Sequence, residues 1–132
     1  MRSNTCLRTG AVLAGLAVGL GAFAAHGMKA HYDAQALQTF ETGVRYQMYH
    51  ALALLLCEAL ATTGRRTGAA AIAFTLGIVL FSGSLYALVW LDVKALGAVT
   101  PFGGVAFLVG WVLLALRGAA IDEALVPPGR PS

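Results

Sequence analysis

The stretch TGAAAIAFTLGIVLFSGSLYALVWL, Thr67–Leu91, contains no charged residue and decides the class of this fold. Its length suits a bilayer, whose hydrocarbon core is about 30 Å thick and needs roughly 17–25 helical residues to cross. Lipid offers no hydrogen bonds, so a crossing segment must satisfy its own backbone as a helix. Three further apolar runs occur at Thr9–Ala25, Tyr46–Thr63 and Leu96–Leu116. The sequence therefore predicts an all-α membrane protein with four transmembrane helices.

Composition and charge support the same class. Hydrophobic residues make up 58% of the 132 residues and charged residues only 11%, whereas soluble domains carry about a quarter charged residues. The net charge of +3 comes from isolated basic residues and the pair Arg65–Arg66, without the clustered basic face of a nucleic-acid-binding protein. We therefore expect the lipid bilayer, and no nucleic acid, as partner. One domain is expected over residues 1–118, with spans at about 9–25, 46–63, 67–91 and 100–117, and a short tail over 119–132.

The distribution of Lys and Arg predicts the orientation. Loops rich in these residues stay in the cytoplasm. The N-terminal tail, the turn after the second run and the C-terminal tail hold six of them, against three in the other two gaps: Arg2, Arg8, Arg65, Arg66, Arg117 and Arg130 against Lys29, Arg45 and Lys94. Both termini are therefore expected in the cytoplasm. Tyr46, Tyr49 and Trp90 would then lie near the outer interface, where aromatic rings collect.

Local signals mark the ends of the fourth helix. Thr100 can cap free N–H groups, and Pro101 suits the first helical turn. Arg117 complements the negative end of the helix dipole, and Gly118 can adopt the left-handed conformation of a helix stop. The prolines and glycine of Pro127–Pro131 then predict a disordered tail.

The gap between the first two runs, His26–Arg45, predicts a short amphipathic helix. Asp33 could cap it, and Leu37, Phe40 and Val44 would share one side. We expect this segment to lie along the outer interface or across the mouth of the bundle, and to bend at Gly43 before the second span.

The first run can also be interpreted as a signal peptide, since Arg2 and Arg8 precede an apolar core that ends in Ala22-Phe23-Ala24. Cleavage would leave three spans. Gly15 and Gly19 favour a retained helix, because small residues four apart let helices approach closely.

Four ordered motifs resemble a known family of small bacterial inner-membrane proteins. They are Gly21-Ala22-Phe23-Ala24-Ala25-His26-Gly27; Thr42-Gly43-Val44 with Tyr46-Gln47 and His50-Ala51-Leu52; Phe81-Ser82-Gly83-Ser84-Leu85-Tyr86; and Thr100-Pro101-Phe102-Gly103-Gly104 with Gly110-Trp111. The chain is similar in these to the domain-of-unknown-function family 423 and to the eukaryotic transmembrane protein 256. The resemblance covers about residues 10–117 and implies a four-helix multi-pass fold in the inner membrane with a retained first span. It implies no activity and no site residues.

Polar residues gather at the expected outer ends of the four spans. They are His26, Tyr46, Gln47, His50, Tyr86 and Thr100. At 1.5 Å per residue, His50 lies about 6 Å below Tyr46 and Tyr86 about 7.5 Å below Leu91, so the two should share a depth. Two interpretations stay open: a structural cluster that satisfies its own hydrogen bonds, or a site for a ligand, metal or proton path. We expect no metal, since two histidines form an incomplete ligand set.

Glu58 is the only carboxylate inside a predicted span. Such a group is a functional candidate, yet it lies close enough to Thr63 to reach the interface or to pair with Arg65 or Arg66. Ser82 and Ser84 are expected to bond their own backbone one turn back. Cys6 and Cys57 lack the spacing of a zinc or redox site.

These patterns predict a non-enzymatic membrane component without cofactor, which associates with itself or with a larger membrane complex. The alternative is a small transporter or channel-like protein that uses Glu58 and the outer histidines. Dimerisation would then be needed to enclose a path.

Overall fold

The computed structural model describes residues 4–126 and 128–129. Arg2, Pro127, Arg130 and Pro131, which enter the predictions of orientation and tail, lie outside these residues. The helices, in chain order, are α1 Thr5–Phe23 with a π-helical turn Ala24–Met28, α2 Ala34–Ala61, α3 Gly68–Gly77 with a π-helical turn Ile78–Ser82, α4 Gly83–Leu91, a 3-10 helix Lys94–Ala98, α5 Thr100–Arg117 and a 3-10 helix Glu123–Leu125. The all-α prediction is thus confirmed for the described residues.

Three helical rods are long and apolar enough to cross a membrane, namely Thr5–Met28, Gly68–Leu91 and Lys94–Arg117. The rod Gly68–Leu91 joins α3 and α4 through the π-helical turn, and we call it the α3–α4 rod. The fourth rod, α2, is the longest α-helix at 28 residues. It carries Gln47, His50 and Glu58 among its apolar residues and is therefore less apolar than the other three.

The rods pack in an antiparallel series. α1 packs on α2, α2 packs on the α3–α4 rod, and that rod packs on α5. At two contacts a glycine lets helices touch: a Cβ atom at Gly10 would lie 2.9 Å from the carbonyl oxygen of Ala51, and one at Gly103 would collide with the backbone of Phe81. Small residues of this kind bring membrane helices close together. Two apolar cores form between the rods, one around Phe74 and one around Phe40.

The predicted interfacial helix with a bend at Gly43 is wrong, because α2 runs unbroken from Ala34 to Ala61. Asp33 caps it as predicted, accepting a 2.8 Å hydrogen bond from the Ala36 amide. Phe40 is fully buried against Tyr86 rather than at a membrane surface. Gly43 is helical, and its missing side chain makes room for the Tyr86 ring.

The predicted packing face of α1 is also wrong. Gly15 and Gly19 are exposed, and a side chain at either would meet open space. Gly10, Ala17 and Ala24 form the buried side instead. The spacing of small residues was present on both sides of α1, and only the position of α2 decides between them.

The helix ends differ from the predicted chemistry. Thr100 begins α5, but its hydroxyl makes no cap hydrogen bond and instead bonds Ser84 in the neighbouring rod. Gly118 has a right-handed conformation, with φ −70°. The left-handed conformation occurs instead at Asp92, which ends α4, and at Gly64, in the turn before α3.

Part of the predicted tail is folded. The Asp122 amide donates to the Gly64 carbonyl at 2.9 Å, and Arg65 donates to the carbonyls of Gly118 and Ala119. Residues 118–126 therefore pack back onto the turn between α2 and α3. Here a side chain at Gly64 would collide with Val126, in addition to the strain of its positive φ.

Candidate functional site

Buried polar side chains link the rods to one another. We call the set formed by Gln47, His50, Ser82, Ser84 and Tyr86 the polar core; all are at least nine-tenths buried. Every buried side-chain nitrogen or oxygen among the described residues has a hydrogen-bond partner. An unpaired polar group in an apolar interior is costly, so these bonds help to specify which helices pack together.

Gln47 joins three rods through its amide. Its Nε2 donates to the Leu13 carbonyl in α1 at 2.8 Å, and its Oε1 accepts from the Tyr86 hydroxyl in α4 at 2.8 Å. The two partners fix the orientation of the amide, since one offers only an acceptor and the other a hydroxyl hydrogen. Tyr86 reaches Gln47 by passing over Gly43.

Ser82 and Ser84 connect the α3–α4 rod to both of its neighbours. Ser82 donates to the Gly43 carbonyl in α2 at 2.7 Å, so the prediction that it bonds its own backbone is wrong. Ser84 does bond its own backbone, at the Phe81 carbonyl, and also shares a 2.7 Å bond with the Thr100 hydroxyl of α5. Ser82 ends a π-helical turn, and such turns often occur at functional positions.

His50 links α2 to α5. Its Nδ1 lies 2.7 Å from the Tyr46 carbonyl, and its Nε2 accepts from the Trp111 indole at 3.1 Å. A carbonyl can only accept, so Nδ1 must carry the hydrogen, and the indole N–H then requires Nε2 without one. The two partners together select the neutral Nδ1–H tautomer. The ring also stacks on Phe107, with centroids 3.4 Å apart and an interplanar angle of 6°.

The predicted outer-end cluster does not form as one group. Gln47 and Tyr86 bond each other, whereas Thr100 pairs with Ser84 and His50 with Trp111. His26 lies exposed on the π-helical turn after α1. Tyr46 contributes its carbonyl, while its side chain is 39% exposed.

The predicted common depth of His50 and Tyr86 is wrong as well. Tyr86 packs on Phe40 and over Gly43, which precede His50 in α2 by about 10–15 Å along the helix axis. The prediction measured depth from Tyr46, but α2 begins at Ala34. At 1.5 Å per residue, His50 lies about 24 Å from that start and about 17 Å from Ala61, near the middle of the helix. Trp111 was not predicted from the sequence as the partner of His50, although it belongs to the Gly110-Trp111 motif. Its indole N–H was the available signal, since a buried imidazole needs such a donor.

An aromatic groove opens beside His50, between α2 and α5. Its volume is about 670 Å³, and its walls include Tyr46, Tyr49, Phe81, Phe107 and Trp111. His50 contributes the only titratable nitrogens to the described lining, and both have partners. The groove can therefore accept apolar or aromatic groups, while both nitrogens of the imidazole are hydrogen-bonded to other residues of the protein.

Glu58 lies in a second cavity, near the chain termini, which we call the Glu58 cleft. It measures about 520 Å³ and is lined by Cys6, Ala61, Arg65, Arg66, Thr67, Gly68, Arg117 and Leu125. The predicted pairing of Glu58 with Arg65 or Arg66 is wrong. Arg65 donates to the carbonyls of Gly118 and Ala119, and Arg66 forms a 2.6 Å ion pair with Asp122.

Within residues 4–126 and 128–129, no three His, Cys, Asp or Glu side chains are grouped as metal ligands. Cys6 and Cys57 are both free thiols.

Comparison with known proteins places these features in a family. Residues 20–104 match the family described as "Protein of unknown function (DUF423)". The chain is 50% identical over 109 residues to the UPF0382 membrane protein YwdK of Bacillus subtilis, which covers 80% of this chain and 88% of the relative. It is 45% identical over 106 residues to the UPF0382 membrane protein SAB0533 of Staphylococcus aureus, covering 80% and 87%. It is 42% identical over 99 residues to a UPF0382 membrane protein of Haemophilus influenzae, covering 74% and 80%. No solved structure matches significantly.

Proposed function

This chain belongs to the DUF423 family, whose relatives above are named membrane proteins, and from that premise we propose that it is a non-catalytic accessory component of the inner membrane. It acts as a small bundle that associates with itself or with a larger membrane complex. In this proposal all four rods cross the membrane, with both termini in the cytoplasm.

The observation that carries the proposal is the saturation of the polar core. Every buried side-chain nitrogen or oxygen of the described residues has a hydrogen-bond partner inside the bundle, and Gln47, Ser82 and His50 each bond a neighbouring rod. A catalytic or transport site needs polar groups that are free to bind a substrate, as general acid–base groups must reach the proton that they transfer. The polar core instead supports a role in holding four helices together.

The length and bonding of α2 support its place as the fourth span. Its 28 residues extend over about 42 Å, which exceeds the roughly 30 Å hydrocarbon core. Its polar side chains Gln47 and His50 face other rods and are therefore withheld from lipid. Glu58 lies about 4.5 Å from the end of the helix at Ala61, where a carboxylate can reach the headgroups.

The charge pattern supports the proposed orientation. Arg65 and Arg66 follow α2, and Arg117 ends α5, at the same end of the bundle as the start of α1. Lys29 and Lys94 lie at the opposite ends of their rods. Lys and Arg favour the cytoplasmic side.

Purification from gently solubilised membranes, followed by mass spectrometry, tests the accessory role. We expect a defined membrane-protein partner, or a second copy of the chain, at constant stoichiometry. Proteoliposomes provide the opposing measurement. Proton or ion flux that is present with the native chain and lost in Glu58→Gln would contradict the proposal in favour of a transporter.

A further inference from the structure

The Glu58 cleft continues into an apolar groove between α1 and α3. This α1–α3 groove measures about 400 Å³ and is lined by Thr5, Cys6, Thr9, Leu54, Gly68, Ala71, Ile72, Thr75 and Leu76. Cys6 and Gly68 line both cavities, so they adjoin. From Gly68 to Leu76 the groove follows α3 for about 12 Å along the helix axis. A charged cleft thus opens into an apolar channel that runs along a candidate membrane span.

Guanidinium groups dominate the cleft. Arg65, Arg66 and Arg117 all line it. Arg66 is 68% exposed beyond its ion pair with Asp122, and Arg117 is exposed without a hydrogen-bond or ion-pair partner among the described residues. Guanidinium groups bind phosphate oxygens by paired, charge-assisted hydrogen bonds.

The start of α3 adds backbone donors to the same cleft. Thr67 precedes α3, and its side chain makes no cap hydrogen bond; its hydroxyl donates to the Cys57 carbonyl at 2.9 Å. No acidic residue occupies the first turn. The first amide with a partner inside this turn is that of Ala71, which donates to the Thr67 carbonyl at 2.9 Å. The Gly68 amide precedes it, in the lining of the cleft and at the positive end of the helix dipole, which favours an anion.

Glu58 brings the opposite charge. No cation among the described residues lies within ion-pair distance of its carboxylate, although three arginines line the same cleft. A ligand with a phosphate alone would place negative charge near this carboxylate. A ligand that also carries an ammonium group would offer it a partner that can donate hydrogen bonds.

We propose that the cleft and the groove together bind one phospholipid whose headgroup carries both a phosphate and a primary ammonium group. The phosphate lies against Arg66 and Arg117 at the start of α3, the ammonium lies against Glu58, and one acyl chain follows the α1–α3 groove. The site requires only that α1 and the α3–α4 rod cross the membrane. It is therefore independent of the accessory role proposed above.

Lipid retention measured by native mass spectrometry tests the headgroup assignment. The full chain is placed in nanodiscs with equal parts of phosphatidylethanolamine, phosphatidylglycerol and phosphatidylcholine, all with the same acyl chains. We expect one phosphatidylethanolamine per chain to resist the activation that removes the other lipids. Arg117→Gln should weaken its retention by about tenfold or more, as expected for a lost charge-assisted hydrogen bond.

Glu58→Gln distinguishes recognition of the ammonium group from recognition of the phosphate. It should abolish the preference for the primary ammonium over the trimethylated one and raise retention of phosphatidylglycerol. Arg8→Gln is the matched control, since Arg8 is exposed near the same end but does not line the cleft, and it should change nothing. A preference for phosphatidylglycerol in the native chain, or unchanged selectivity in Glu58→Gln, would overturn the assignment.

The acyl groove is tested by filling it. Thr9→Phe should lower retention of every phospholipid at the site, whereas Val18→Phe, on the exposed side of the same helix, should not. Thermal unfolding of each variant identifies loss of fold. Equal retention by folded Thr9→Phe and native protein would show that no acyl chain lies there and would overturn the proposal.

Discussion

At His50, one imidazole ring carries two opposite hydrogen-bonding roles. Nδ1 donates to the Tyr46 carbonyl and Nε2 accepts from Trp111, so protonation of Nε2 would break the link to α5. The stacked Phe107 ring leaves little freedom for the imidazole to turn. The two hydrogen bonds of His50 therefore hold its imidazole in the neutral form, in which it links α2 to α5.

A double-mutant cycle on His50 and Trp111 measures this connection. His50→Ala should lower the free energy of unfolding by about 1–3 kcal/mol, because it orphans the indole N–H. His50→Gln keeps a donor and an acceptor and should recover part of that loss. The double mutant that combines His50→Ala with Trp111→Phe completes the cycle. The coupling energy between the two residues should be about 0.6 kcal/mol and at most about 1.7 kcal/mol, the range of hydrogen bonds between membrane helices. Additive effects of the two single substitutions would contradict the assigned bond.

Two glycines of the same region provide a matched pair. Gly103→Ala should destabilise the protein by about 1–3 kcal/mol, because the new Cβ collides with the Phe81 backbone and must push α5 away. Gly83→Ala meets open space and should be neutral or stabilise the helix by up to about 1 kcal/mol. Unfolding in a denaturing detergent checks both, and equal effects would mean that α5 does not approach this closely.

At the scale of elements, α2 is the helix that organises the bundle. It contacts α1 and the α3–α4 rod and bonds α5 through His50. Its unbroken course past Gly43 allows Gln47 and His50 to face different neighbours three residues apart. Its start is set by Asp33, whose side chain satisfies a free amide of the first turn.

Removal of the Asp33 cap should therefore weaken the bundle. Asp33→Ala should cost about 1 kcal/mol of stability, whereas Asp33→Asn, which also accepts from the backbone amide, should cost far less. Thermal melting followed by circular dichroism measures the difference. Identical melting of the two variants would show that α2 does not depend on this cap.

At the scale of the whole molecule, the described rods form an antiparallel series with short connections. The end near the termini is closed by residues 118–126, which pack on the turn around Gly64. The opposite end holds the turns near Asp33 and Lys94. If all four rods cross the membrane, these two ends lie on opposite sides of it. If α2 does not cross, the turn before α2 and the turn after α2 lie on the same side.

Cysteine labelling in intact cells distinguishes the two topologies. In a background with Cys6 and Cys57 replaced by serine, His31→Cys should react with a membrane-impermeant maleimide and Thr63→Cys should react only after lysis. A reporter that is active only in the cytoplasm should work when fused after Ser132. Labelling of both cysteines from the same side would show that α2 does not cross the membrane.

The uncharged run Thr67–Leu91 and the uncharged runs Thr9–Ala25 and Leu96–Leu116 determined the class of this protein, because the absence of charge over a membrane's thickness is a property of composition alone. The four motifs likewise determined its family. The partners inside the bundle were decided by tertiary structure. Gly10 and Gly15 are alike in sequence, and only the position of α2 makes Gly10 the packing face. His50 and Trp111 are 61 residues apart, so their bond depends on how α2 and α5 rotate about their axes. A helix must bury some of its faces, but which faces, and against which donor, is settled by the joint packing of all the rods.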